Sequence, residues 1–189
     1  MDRDATLALF RHAGALLEGH FKLSSGLHSR GYLQSALVLQ NPADATTLGA
    51  ALGAWSAALR PDVVLSPALG GVIIGQEVGR ALHVRAIFAE RADGTLTLRR
   101  GFSINPGERV LVVEDVVTTG KSTRETIDVA EAADARVIGA VAIIDRRGGT
   151  TDLTVPFHAL AQLPLPTYEP SACPLCAQGF PLTKPGSRP

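Results

Sequence analysis

The sequence predicts an α/β fold, an open parallel sheet with helices on both faces. Two observations carry this. From Pro61 onward, short apolar runs of strand length alternate with helix-compatible segments, as βαβ units require. The run Val110-Leu111-Val112-Val113 is also apolar without interruption, as a strand covered on both faces must be. A chain of 189 residues that is 46% hydrophobic can bury one substantial core. A single domain is therefore expected over 1–180, with its core over about 41–165 and a flexible tail over 181–189.

In chain order, Leu7, Phe10, Gly14 and Leu17 recur at helical spacing and predict a first helix ending near Gly19. Residues 32–39 read as extended. Asn41 as N-cap and Pro42 at the first helical position open a second helix, running through Trp55 to about Leu59. A strand over 63–66, a helix over 71–82 and a strand over 84–88 follow. Asp93-Gly94, flanked by alternating residues, predicts a hairpin projecting from the sheet. The last units are a strand over 109–114, a helix over 121–133 and a strand over 137–144.

Three loops fall at strand carboxyl ends, where open sheets of this kind gather ligands. The most informative is Glu114-Asp115-Val116-Val117-Thr118-Thr119-Gly120-Lys121-Ser122. Glu114 and Asp115 are suited to accept hydrogen bonds from a sugar diol. Thr118, Thr119, Gly120, Lys121 and Ser122 are suited to wrap its 5-phosphate with backbone N–H groups, hydroxyls and a helix N-terminus. An apolar strand closed by an acid also describes an ATPase strand, but no G-x-x-x-x-G-K-[S/T] loop is present, and Asp115 stands five residues before Gly120 where that motif has glycine. The loop 66–71, with Gly70 and Gly71, permits the close backbone approach a pyrophosphate needs. Asp145-Arg146-Arg147 sets an arginine beside the same edge, where its planar fork could grip a carboxylate.

These loops resemble the ribose-phosphate site of type I phosphoribosyltransferases, which use phosphoribosyl pyrophosphate (PRPP). That likeness does not identify the base. The segment Glu18-Gly19-His20-Phe21-Lys22-Leu23-Ser24-Ser25-Gly26-Leu27-His28-Ser29-Arg30-Gly31-Tyr32 resembles the hood of the orotate phosphoribosyltransferase family, G-x-F-x-L-x-S-G-x-x-S-x-x-Y or F. The resemblance implies a small N-terminal hood over about 1–40 and a hairpin lid. It implies that Glu114 and Asp115 bind the ribose hydroxyls, that 118–122 surround the 5-phosphate, and that Ala68, Leu69 and Gly70 line the pyrophosphate. Arg146 would meet the orotate carboxylate with Thr118 nearby, and Tyr32 and Leu33 would pack on the pyrimidine. Where the family commonly has lysine before the hood's S-G, this chain has Ser24; Lys22, two residues earlier, would share its face on a strand. The family's basic lid has no lysine or histidine here, and Arg91 aligns with its first basic pair.

The implied reaction is transfer of ribose 5-phosphate from PRPP to orotate, with Asp115, Glu114 and Arg91 as catalytic groups. Magnesium would be the cofactor, held mainly by PRPP and not by protein side chains. A homodimer sharing its lid across the interface is also implied. The alternatives are a phosphoribosyltransferase for another base and a PRPP-binding regulator without catalysis. Zero formal net charge and the lack of a long basic run argue against nucleic acid or an anionic membrane as partner. Met1-Asp2-Arg3-Asp4 does not read as a signal peptide, so a cytoplasmic location is expected. Both cysteines lie in Cys173-Pro174-Leu175-Cys176. This motif fits a redox pair, half of a zinc site or two plain thiols; four ligands would be needed for zinc, and His158 is the nearest histidine in sequence.

Overall fold

The computed structural model describes residues 1–23, 26–148 and 153–185. Its main sheet contains β3 (Val63–Pro67), β4 (Arg85–Ala92), β5 (Thr95–Leu98), β6 (Arg109–Val117), β7 (Arg136–Asp145) and β8 (Phe157–Gln162), in the order β5-β4-β3-β6-β7-β8. All neighbours are parallel except β5, which returns antiparallel on β4. Side chains of the buried central strands alternate between two cores, as the two-residue strand period dictates. Val64, Leu111, Val113, Val141 and Ile143 pack with Leu7 and Phe10 of α1 (Arg3–His12), Leu48 and Leu52 of α3 (Pro42–Ser56), and Ile74 and Val78 of α4 (Gly70–Leu82). Val63, Leu65, Val110, Val112 and Ala140 face the opposite side, with Ile127 and Ala130 of α5 (Lys121–Glu131). The expected doubly covered sheet is therefore present. No helix among the described residues is long and apolar enough to cross a membrane.

A second, antiparallel sheet forms the hood: β1 (Leu16–Lys22), β2 (His28–Leu33) and β9 (Thr167–Tyr168). Here the structure corrects the sequence reading. α1 stops at His12, because Gly14 takes φ +65° and the Ala15 and Gly14 amides donate back to Phe10 and Arg11 carbonyls at 2.8 and 3.0 Å. This closure ends a helix, so Leu17 belongs to β1 and not to a helical stripe. Residues 32–39 are not extended throughout: β2 ends at Leu33 and α2 (Ala36–Leu39) forms a short helical turn. Within the segment expected as a tail, Thr183 exchanges backbone hydrogen bonds with His20 and Lys22 at 2.8 Å each. Residues 186–189 lie outside the described residues.

Local signals located the start of α3 and the hairpin turn, whereas β4 and β6 run past their expected ends at 88 and 114 to Ala92 and Val117, and α5 ends at Glu131, short of 133. Asn41 accepts from the Ala43 amide at 3.0 Å and caps α3 as expected. Asp93 and Gly94, both at positive φ, make the hairpin turn between β4 and β5. β3 pairs with β4 only as far as Ala89, so the hairpin tip extends past the carboxyl edge while Leu96 anchors its root in the core shared with α5.

α3 and α4 meet through glycine. A Cβ at Gly49 would collide with the Glu77 side chain and lie 2.8 Å from its carbonyl carbon, and one at Gly53 would lie 2.9 Å from Ala81 Cβ. This contact seats α4, whose first residues enter the site. Gly49→Val is expected to destabilise the fold by about 1–3 kcal/mol, the usual cost of overpacking, outweighing the gain of up to about 1 kcal/mol from removing a helical glycine. Urea unfolding would read this directly, and an unmoved midpoint would show that the two helices part without cost.

Candidate functional site

Strand order reverses direction at β3: the chain runs from β3 outward to β4, then returns to place β6 on the other side. The crevice at the carboxyl ends of β3 and β6 is thus a topological switch point, where such sheets bind ligands. Glu114 and Asp115 lie within β6, before its end at Val117. Glu114 is 5% exposed. Its Oε2 accepts from Ser122 Oγ and Thr123 Oγ1, each at 3.2 Å. Burial, and secondarily the charge of Asp115, push its carboxyl up to about 8. Asp115 is partly exposed and accepts a hydrogen bond from Ser35 Oγ.

Ala68, Leu69 and Gly70 close against this pair. A Cβ at Gly70 would lie 2.7 Å from both Asp115 carboxylate oxygens, so only glycine lets the start of α4 approach so near. The Ala68–Leu69 peptide is cis, and Leu69 is 88% exposed. Beneath them Ser66 Oγ is buried and has no hydrogen-bond partner among the described residues. Thr118, Thr119 and Gly120 form the turn into α5, with Gly120 at φ +73° as its N-cap. Glycine offers no side chain to cap the helix, and its first turn contains no acidic residue. Thr119 Oγ1 accepts from the Lys121 amide at 3.3 Å. This N-terminus therefore has the polarity that suits a phosphate.

Next to the turn lies a cleft of ≈ 870 Å³, walled by Tyr32, Leu23 and Leu27 of the hood, by Thr118, Thr119, Arg146, Arg147 and Gly148, and by the segment 164–167. Arg146 and Arg147, adjacent in sequence, have different environments. Arg147 donates twice to Asp145 at 2.8 and 2.9 Å and lies over the Phe157 ring. Arg146 lines the cleft with its Nε buried and without a hydrogen-bond partner among the described residues. Burial alone lowers its pKa from the ordinary arginine value. An arginine fork left without an acceptor at a cleft wall invites an anionic ligand.

Some expected residues stand apart. Lys22 is exposed on β1, and the cleft wall begins one residue later at Leu23. Leu33 packs against the main core, on the opposite side of β2 from Tyr32, as strand alternation requires. Arg91 does not reach the cleft: it donates to Glu125 of α5 and to the Gly94 carbonyl, both at 2.5 Å. Ser24 lies outside the described residues. Sequence reasoning overlooked Ser35 and the segment 164–167. Ser35 sits 80 residues from Asp115, and no local pattern announces either.

A phosphoribosyl transferase domain model matches residues 49–156. Orotate phosphoribosyltransferase of Heliobacterium modesticaldum is 52% identical over the full length of both chains. That of Pelotomaculum thermopropionicum is 51% identical over all of this chain and 99% of its own. The crystal structure of orotate phosphoribosyltransferase from Aeropyrum pernix superposes with a TM-score of 0.67 at 26% identity, covering 82% of this chain and 92% of that one. With about half of its residues identical to these relatives over the full length, the chain belongs to the phosphoribosyltransferase family, in its orotate phosphoribosyltransferase branch.

Proposed function

We propose that the chain transfers ribose 5-phosphate from PRPP to a ring nitrogen of orotate, giving orotidine 5′-monophosphate and pyrophosphate in de novo pyrimidine synthesis. The observation that carries the base assignment is Arg146, whose buried Nε lacks an acceptor at the wall of a cleft that also contains Thr118 and Thr119. A cleft of ≈ 870 Å³ suits a small aromatic acid together with part of a sugar phosphate. Thr118, Thr119, Gly120, Lys121 and Ser122 hold the 5-phosphate at the start of α5. Glu114 and Asp115 hold the ribose diol, and the backbone of 68–70 lines the pyrophosphate. Tyr32 covers the pyrimidine ring.

The Asp115 carboxylate, the Glu114 carboxyl and the hydroxyls of Ser35 and Ser122 form a hard-oxygen environment, which fits magnesium held largely by substrate phosphates. When bound, magnesium would stabilise the negative charge of the leaving pyrophosphate. The chain's residues supply positioning and electrostatics, so no covalent nucleophile is required. The nitrogen attacks C1 of the ribose from the face opposite pyrophosphate, with inversion; the C1–O bond breaks, the ring N–H proton passes to the departing pyrophosphate or solvent, and Asp115 offsets the positive charge that grows on the sugar. Arg91, Arg99 and Arg100 are tied to Glu125 and Glu90 of their own chain, and must exchange those partners to act as a lid. We assign the working unit as a homodimer that shares this hairpin across its interface. A cytoplasmic setting suits polyanionic substrates that do not cross a bilayer unaided.

The direct test is an assay of PRPP with orotate, uracil and purine bases, with product mass determined. Orotidine monophosphate is expected with orotate alone, lost on chelation and restored by magnesium. Turnover of another base would discard the Arg146 assignment, and no turnover with any base would leave a PRPP-binding protein. Arg146→Ala should raise the KM for orotate about 10- to 150-fold, the equivalent of a charge-assisted contact of about 1.5–3 kcal/mol. Its effect on the PRPP KM should be much smaller; equal effects would remove it from the base side.

Glu114 makes the fold pH-sensitive. The native carboxyl keeps its proton up to about pH 8, whereas the ordinary group releases it near 4.5. Between those values the native state binds more protons than the unfolded chain, so this group lowers stability as pH rises. Glu114→Gln is therefore expected to be more resistant to urea than the parent at pH 8, with the difference shrinking towards pH 5. A difference that grows on acidification would contradict the assignment.

A further inference from the structure

The C-x-x-C motif finds its missing partners in the hood. His20 of β1, His28 of β2, Cys173 and Cys176 place one ligand atom each within 4.8 Å of all the others. His158, nearest in sequence, is not among them; it stacks on Trp55 with ring centroids 4.7 Å apart. His20 Nε2 is 3.0 Å from His28 Nδ1, 3.5 Å from Cys173 Sγ and 3.7 Å from Cys176 Sγ. Cys176 Sγ lies 3.3 Å from His28 Nδ1. Ligand bonds of about 2.0–2.3 Å arranged as a tetrahedron give ligand-to-ligand edges of about 3.3–3.8 Å.

Hydrogen bonding alone does not account for this convergence. His20 Nδ1 lies 2.9 Å from the Phe180 carbonyl and must carry the proton there, because a carbonyl only accepts. Neutral His20 then has a single lone pair, on Nε2, yet three groups crowd that one atom. Two thiols and a second imidazole cannot all donate to it. Lone pairs that converge on a common cation need no such sharing, and the bond from Nδ1 to Phe180 is the kind of outer contact that orients a ligating imidazole. His20, His28 and Cys173 are 4, 4 and 3% exposed, so an unpaired charge would be costly there. Two thiolates and a divalent cation sum to zero, with two thiol protons released to solvent on binding.

We propose that this chain binds one structural zinc ion through His20 Nε2, His28 Nδ1, Cys173 Sγ and Cys176 Sγ. Two sulfurs and two nitrogens in tetrahedral array select zinc over magnesium or calcium, and four protein ligands leave no open position for chemistry. The ion joins the β1–β2 hairpin to the turn around α6 (Pro174–Ala177). It thereby fixes the hood strands whose continuation, Leu23 and Leu27, walls the cleft.

The test begins with the metal content of the full-length protein, purified without chelator and desalted. One zinc per chain is expected, released in step with modification of both thiols. Reduced apoprotein should take up cobalt(II) with the visible ligand-field and thiolate charge-transfer bands of a tetrahedral sulfur–nitrogen site, and zinc should abolish those bands. Cys176→Ser and His28→Ala should lose zinc at least tenfold more readily to a competing chelator. Should those variants fail to fold, the cobalt spectrum of the parent still decides. Reduced chain that binds neither metal, cobalt bands typical of six oxygen ligands, or zinc retained equally by both variants would each overturn the site.

Discussion

The arrangement of the site follows from burying two adjacent carboxylates where an apolar strand ends. β6 is driven inward by Val110, Leu111, Val112 and Val113, and its continuation carries Glu114 into the same low-dielectric layer. A charge there is costly unless it is hydrogen bonded or neutralised, and the surroundings supply both remedies. Ser122 and Thr123 reach back from α5 to Glu114, whose raised pKa keeps it neutral at ordinary pH, and Ser35 comes from the hood side to Asp115. Gly70 lets α4 begin against Asp115. Three loops from distant parts of the chain are thus drawn to one point by the need to solvate one strand end, and that point becomes a polar crevice in an otherwise apolar sheet.

Much of this was legible because the informative signals are local. The uninterrupted run of β6, Asn41-Pro42 at the start of α3 and Asp93-Gly94 at the hairpin each specify conformation within a few residues, and each element lies where they indicate. Local signals also mislead. Leu17 continues the helical spacing of Leu7 and Phe10, but closure around Gly14 overrides that pattern. The β8 sequence Phe-His-Ala-Leu-Ala-Gln has a single aromatic and no β-branched residue, so its strand conformation comes from pairing with β7 and not from its own propensity. Ser35 with Asp115, and His20 with Cys173 across 153 residues, are juxtapositions created by topology. Composition and spacing contain no record of them.

The same division runs through the walls of the cleft. The matched family segment, 49–156, contains both glycine-dependent loops, the carboxylate pair, the phosphate turn and Arg146. Apart from Arg147 and Gly148, which also fall within it, the remaining described walls of the cleft lie outside it: Leu23, Leu27 and Tyr32 before it, and Pro164, Leu165, Pro166 and Thr167 after it. These two flanks form one structure, because β2 pairs with β9 and Leu165 packs so closely on Gly31 that a Cβ there would lie 2.8 Å from it. The carboxylate pair and the turn into α5 therefore belong to the main sheet, whereas the apolar side of the cleft belongs to a hood assembled from both ends of the chain. The apolar side of the cleft forms where the two termini meet, and the contacts that bring them together, from the Thr183 backbone bridge to the His20, His28, Cys173 and Cys176 cluster, support its walls from outside.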